Sequence, residues 1–231
     1  MDRASLNIFA NWKAFLGKKE VVEWLNYFNK HYQPHDNVQV FLGPSFTNIS
    51  YVIEHCSHDD VMVYAQDVSH LKAGAHTGEV TVEDLLSHMV DGVLIGHSER
   101  RSQLEESNER INKKLDCISS ADVMVVIAIS QIEQLQSVID AGNKPTDFIW
   151  AYEPIEAIGS GNPATVERVE SFVKDMYDVA GNDITVIYGG SVDSKNIGQY
   201  ISIPEIQGAL IATASKDPEE FIRIIDVAAT Y

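Results

Sequence analysis

Val123-Met124-Val125-Val126-Ile127-Ala128-Ile129 is an unbroken apolar run, rich in β-branched residues, with no polar residue alternating along it. A strand that reads this way is buried on both faces, as strands of a parallel sheet are. Residues 131–141 behind it read as a helix, and residues 148–151 form a second short apolar run. Strand, helix and strand in that order make a βαβ unit, and the same unit recurs in both directions along the chain. Candidate strands lie at residues 7–10, 38–42, 61–65 and 92–95 on one side, and at 185–188 and 208–211 beyond 148–151 on the other. Between them lie helical stretches at 19–32, 81–89, 107–118, 165–180, 194–200 and 217–228, with the weakest pattern at 45–54. Val21, Val22, Leu25 and Phe28 share one helical face. Thr81-Val82-Glu83-Asp84 resembles a capping box, and Pro218 suits a first helical turn.

Eight β-then-α units in a chain with no linker, repeat or low-complexity segment predict a single-domain (β/α)₈ barrel spanning residues 1–231, with a doubly wound open sheet as the alternative. Dividing 231 residues by about 150 per domain leaves an awkward one and a half, a length at which α/β barrels are single domains. Seventeen Lys+Arg against thirty-four Asp+Glu give a formal net charge of −17. That balance argues against nucleic acid and anionic membranes, which need a basic face, but leaves room for a small anionic ligand. Cys56 and Cys117 are the two cysteines, too few for a disulfide framework or a Cys-rich zinc site. No signal-peptide core and no membrane-length apolar run are evident, so the expectation is a soluble, cytoplasmic protein.

In either fold, chemistry sits at the C-terminal ends of the strands. The first strand exits into Asn11-Trp12-Lys13, where the lysine is either a solvated loop cation or an anion-binding ammonium. The fourth exits into Gly96-His97-Ser98-Glu99-Arg100-Arg101. A histidine at the start of a helical turn feels the positive end of the helix dipole, which favours a neutral ring able to donate a hydrogen bond. The plainer reading is a ring bonded to a neighbouring carbonyl, with Glu99, Arg100 and Arg101 in surface ion pairs. The sixth strand ends in Glu153-Pro154, where burial is expected to raise the carboxylate pKa toward that of a general base. The following segment, residues 155–164, carries Ile155, Ala157 and Ile158 between glycines and a proline and reads as a lid. Tyr188-Gly189-Gly190-Ser191-Val192 and Ile211-Ala212-Thr213-Ala214-Ser215 follow the seventh and eighth strands, where barrels place phosphate sites.

These motifs, with Ala65-Gln66-Asp67-Val68, Gly74-Ala75-His76-Thr77-Gly78-Glu79, Ala151-Tyr152-Glu153-Pro154 and Ala157-Ile158-Gly159-Ser160-Gly161, resemble the triosephosphate isomerase family in order and strand context almost end to end. The resemblance implies interconversion of dihydroxyacetone phosphate and glyceraldehyde 3-phosphate, with no cofactor and no metal. Glu153 would move a proton between C1 and C2, and His97 would polarise the carbonyl and serve the enediolate oxygens; this base and imidazole pairing is the family's own. Lys13 would supply positive charge, Asn11 would bond near the substrate oxygens, and Glu99 would support that network. Amides of Gly159, Ser191, Ala212 and Thr213 would hold the phosphate, and Tyr188 would latch the lid near Ala164. The loop 73–79 would insert into a neighbouring subunit with Thr77 near the partner's site, implying a homodimer at least, or a tetramer.

Three departures from the family pattern matter. Ala212-Thr213 replaces a usual Gly-Gly pair, a difficulty if either position needs a positive φ. Glu156 and Gln131 stand where Trp and Glu are common, and a compensating Glu156–Gln131 contact is expected. Fifty-six positions separate His97 from Glu153, a shortened segment that falls mainly around residues 131–143. Competing readings are a different phosphosugar barrel and a catalytically weak or silent phosphosugar-binding barrel. Surplus carboxylates, Glu105-Glu106 and Glu219-Glu220 among them, are expected on the outer helices.

Overall fold

The computed structural model describes residues 5–157 and 162–231. Its eight parallel strands close in sequence order, β1 pairing with β8, into a (β/α)₈ barrel. The strands are β1 (Leu6–Asn11), β2 (Val38–Gly43), β3 (Val61–Ala65), β4 (Gly92–Ile95), β5 (Met124–Ile129), β6 (Ile149–Tyr152), β7 (Thr185–Tyr188) and β8 (Ile206–Ile211). The helices are α1 (Lys18–His31), α2 (Ile49–His55), α3 (Val82–Ser87), α4 (Ser98–Gln103), α5 (Asn108–Ile118), α6 (Ile132–Asp140), α7 (Val166–Ala180), α8 (Ile197–Ile201) and α9 (Pro218–Ala228). The closed ring of parallel pairs excludes the open doubly wound sheet.

Alternation along each strand divides the core into two layers. Phe9, Phe41, Tyr64, Leu94, Val126, Ala128, Ile187 and Leu210 fill the barrel, with Phe9 and Phe41 stacked at 4.1 Å. The other strand faces, among them Ile8, Val40, Val63 and Ile127, pack against the helices. Burial on both sides explains why the strand segments read as continuous apolar runs.

The elements follow the sequence closely, and the differences have local causes. Thr81 caps α3 by accepting from the Asp84 amide, and Asp217 caps α9 from the residue before Pro218. The weak segment at 45–54 splits into a 3₁₀ turn at Phe46–Asn48 followed by α2. The helix expected at 194–200 starts only at Ile197, because Asp193 Oδ1 accepts from the Lys195 and Asn196 amides and holds the chain in a turn. β8 begins two residues early, where Ile206 pairs with Val186 across a register shift. Among the described residues, no helix is long and apolar enough to cross a membrane.

Candidate active site

Glu153 and His97 meet over the C-terminal end of the barrel. The β6 ladder continues one residue past Tyr152, with the Glu153 amide donating to Ile129 O at 2.7 Å, so the carboxylate leaves the end of β6 toward the barrel axis. His97 follows Gly96, whose φ of +72° turns the chain sharply out of β4. The imidazole Nε2 lies 3.0 Å from Glu153 Oε1, and both side chains are buried. Glu153 Oε2 accepts from the Ser98 amide at 3.3 Å. A Cβ on Gly189 would come within 2.8 Å of Glu153 Cγ, so β7 must exit through a residue without one.

Burial by itself raises the Glu153 pKa, as expected from the sequence, but here it is outweighed. The charge and hydrogen bond of His97, the Ser98 N–H and the more distant Lys13 hold the carboxyl below its ordinary value. Desolvation and Lys13 pull the His97 pKa down, whereas Glu153 and Glu99 together push it up, and the net direction is upward. The expectation of a ring kept neutral by the helix terminus is therefore corrected for this arrangement, in which a carboxylate lies against the ring. The tautomer still follows from the backbone. His97 Nδ1 accepts from the Glu99 amide at 3.2 Å, so a singly protonated ring carries its proton on Nε2, facing Glu153.

Lys13 reaches the same space from β1. Its backbone is left-handed, with φ +48°, a conformation a lysine keeps only where its surroundings impose it. Asn11 Oδ1 accepts the Lys13 N–H at 3.1 Å, and Gln66 Nε2 donates to the Lys13 carbonyl at 2.8 Å. The ammonium lies 2.6 Å from Glu99 Oε1. Asn11 and Glu99 thus both position Lys13 while bordering the site. Gln66 belongs to the Ala65-Gln66-Asp67-Val68 motif, which by itself implies no role for it. Its place one residue beyond β3 is the signal that could have singled it out.

A cavity of about 310 Å³ opens beside these groups, bordered by Asn11, Lys13, Glu153, Gly190, Ser191, Ala212 and Thr213. The Ser191 hydroxyl donates to Ala157 O at 2.6 Å, leaving its backbone as the part available to a ligand. Thr213 sits at φ −60° and ψ −44°, and Ala212 is not among the described residues with positive φ. The Cβ atoms at this Ala-Thr pair are therefore accommodated without strain. Tyr188 accepts the Ala164 N–H at 3.1 Å, and Tyr200 donates to Ala164 O at 2.6 Å, so the residue expected to be latched is held from both sides. Gly159 and the rest of 158–161 lie outside the described residues, as does the Glu156 side chain and with it the expected Glu156–Gln131 contact.

Arg101 and Glu106 differ from expectation, whereas Arg100 forms ion pairs as the plainer reading has it. Arg101 does not form a surface ion pair; it donates to Gly96 O and Asn108 Oδ1, each at 2.7 Å, beneath the turn that carries His97. Arg100 pairs with Asp67 and Glu106. Glu106 is not on an outer face but buried, against Lys114 as well as Arg100, because two cations there compensate its desolvation. Thr77 stands in a fully exposed stretch, residues 72–79, and borders neither cavity at the C-terminal end of the barrel.

The chain is similar to known proteins along almost its whole length. The family model described as triosephosphate isomerase matches residues 6–228. A triosephosphate isomerase of Mesomycoplasma hyopneumoniae (strain 7448) is 34% identical over 243 residues, covering 94% of this chain and 97% of that protein. The enzyme of the same name from Aquifex aeolicus is 31% identical over 94% of this chain and 97% of its own length, and that of Mycoplasmoides gallisepticum 30% over 98% and 99%. Barrel, site geometry and full-length similarity together place the chain in the triosephosphate isomerase family.

Proposed function

We infer that this isomerase interconverts dihydroxyacetone phosphate and glyceraldehyde 3-phosphate by proton transfer through an enediolate, with Glu153, His97 and Lys13 as the acting groups. The observation that carries the assignment of roles is the buried Glu153–His97 contact of 3.0 Å beside a cavity that Lys13 also borders. Glu153 takes a proton from C1 of the ketose, leaving its contacts with His97 and Ser98 to do so. The His97 Nε2–H donates to the carbonyl oxygen at C2. Negative charge gathering on the two oxygens is met by the Lys13 ammonium and the imidazole. Glu153 then returns the proton to C2, while His97 passes its Nε2 proton to the C2 oxygen and recovers the one leaving the C1 hydroxyl, so atoms and charge balance without a further reactant. Once the carboxylate has moved to the substrate, its upward pull on the His97 pKa weakens, and the Lys13 charge and the amide on Nδ1 favour the neutral ring.

The phosphate is held by amides of Gly159, Ser191, Ala212 and Thr213, with Lys13 as counter-charge, and Tyr188 fixes Ala164 at the end of the segment that covers the substrate. A barrel that merely binds phosphosugar would not need a desolvated base against an imidazole, and no observation favours it. The experiment is a coupled assay on glyceraldehyde 3-phosphate. A positioned general base is worth about 10²–10⁴ in rate, so Glu153→Gln should lose at least that factor in kcat. An unaffected variant would remove Glu153 from the mechanism.

We further propose a cytoplasmic homo-oligomer, a dimer or a pair of dimers. The loop 73–79 is a preformed projection: the Ser69 amide donates to Val80 O at 2.8 Å and Ser69 Oγ to Glu79 Oε2 at 2.5 Å, pinching its base. A second cavity of about 250 Å³ lies across Asn11 and Lys13 from the first and is bordered by Phe46, Gln66, Arg100 and Leu104. Phe46 and Leu104 are exposed at its border, and we assign it as the seat of a second copy's Thr77 loop. Light scattering should return at least twice the chain mass, and a fully active monomer would contradict the assignment.

A further inference from the structure

Away from the acid–base pair, buried charge is concentrated in one place. Lys114 on α5 is 2% exposed, its ammonium 2.5 Å from Asp67 Oδ1 and against Glu106 Oε1. Arg100 closes the figure, with Nη2 2.8 Å from Asp67 Oδ2 and Nε 3.4 Å from Glu106 Oε1. The four charges alternate around a ring and sum to zero, an arrangement in which attraction offsets the desolvation of each ion.

The ring joins the exit of β3, helix α4 with the loop after it, and α5. Both of its arms end on Lys13. Asp67 adjoins Gln66, which holds the Lys13 carbonyl at 2.8 Å. Arg100 adjoins Glu99, which holds the Lys13 ammonium at 2.6 Å, and it follows His97 by three residues. Lys13 needs such a grip, because its left-handed backbone persists only where neighbours impose it.

We propose that Lys114 is a positioning residue: through its ring with Asp67, Glu106 and Arg100, it sets the Lys13 backbone and ammonium against the bound anion. The proposal rests on the reading of the main cavity as a phosphosugar site. Lys114→Met alone leaves two buried carboxylates facing one guanidinium, so the decisive variant is K114M/D67N, which keeps the Arg100–Glu106 pair and a ring charge of zero. It is compared with the wild type at the same solution mass and well below both melting temperatures. Affinity for inorganic phosphate, read by calorimetry, should fall at least threefold, and kcat/KM for glyceraldehyde 3-phosphate at least tenfold. A phosphate affinity lowered by less than threefold overturns the proposal, whatever happens to turnover. Should the double variant fail to fold, Glu106→Gln, which keeps the side chain's shape and one acceptor, is judged by the same thresholds. A wild-type protein that binds phosphate without isomerising the triose would contradict the isomerase reading, and the phosphate measurement would still decide the role of Lys114.

Discussion

Glu153 and His97 alter each other in opposite directions, and the pH dependence of stability should record it. Folding lowers the Glu153 pKa from its ordinary 4.5 and raises that of His97 from 6.5. The Glu153 contribution is therefore present above 4.5 and lost as pH falls through the lower folded value. The His97 contribution is present below 6.5 and lost as pH rises through the higher folded value. Both are in place between those limits, so His97→Asn should lose more stability relative to wild type at about pH 5.5 than at about pH 9. Urea unfolding at the two pH values checks this, and a gap independent of pH would contradict the coupling. The positions of Glu153, His97 and Lys13 were legible in the sequence because each lies within three residues of the end of an apolar strand run. The direction of the Glu153 shift was not, because it depends on a ring brought over from β4. Glu106 was misplaced for a similar reason: its compensating cations lie on α4 and α5, and adjacent sequence shows only two acidic residues.

At the scale of elements, the loop after β8 separates what sequence comparison suggests from what backbone geometry requires. An Ala-Thr pair in place of Gly-Gly would threaten a phosphate loop that needed left-handed backbone, yet Thr213 is right-handed and Ala212 has no positive φ. Restoring glycines should therefore bring no benefit to binding. It should instead loosen the unfolded chain by about 0.4–1 kcal/mol per position. A212G/T213G is expected to keep its KM within twofold while its melting temperature falls; a tenfold lower KM would show that the Cβ atoms obstruct the phosphate. All eight strands were readable from their apolar runs, since a parallel barrel buries both faces of each. Helix ends were less readable where a side chain competes for the backbone, as Asp193 does before α8.

Across the whole molecule, a chain of net charge −17 is paired with a small anionic substrate. A bulk field of that sign repels a phosphorylated triose, so the proposed site must work through local charge: Lys13 at the mouth and the amides after β7 and β8. Buried acids such as Glu106 and Asp67 are matched by Lys114 and Arg100, and the exposed Glu219 and half-buried Glu220 pair with Arg223 on α9. The barrel brings β1, β4 and β6 together at one end, which allows residues 13, 97 and 153 to form one site. The central claim is that this site moves a proton between adjacent carbons. Proton NMR of the triose phosphates after turnover in D₂O tests it most directly. The wild type should place solvent deuterium on C1 of the ketose and C2 of the aldose, and Glu153→Gln should slow that labelling by at least about 10². Labelling at wild-type rate in the variant, or turnover that leaves Glu153 without influence on either carbon, would contradict the account.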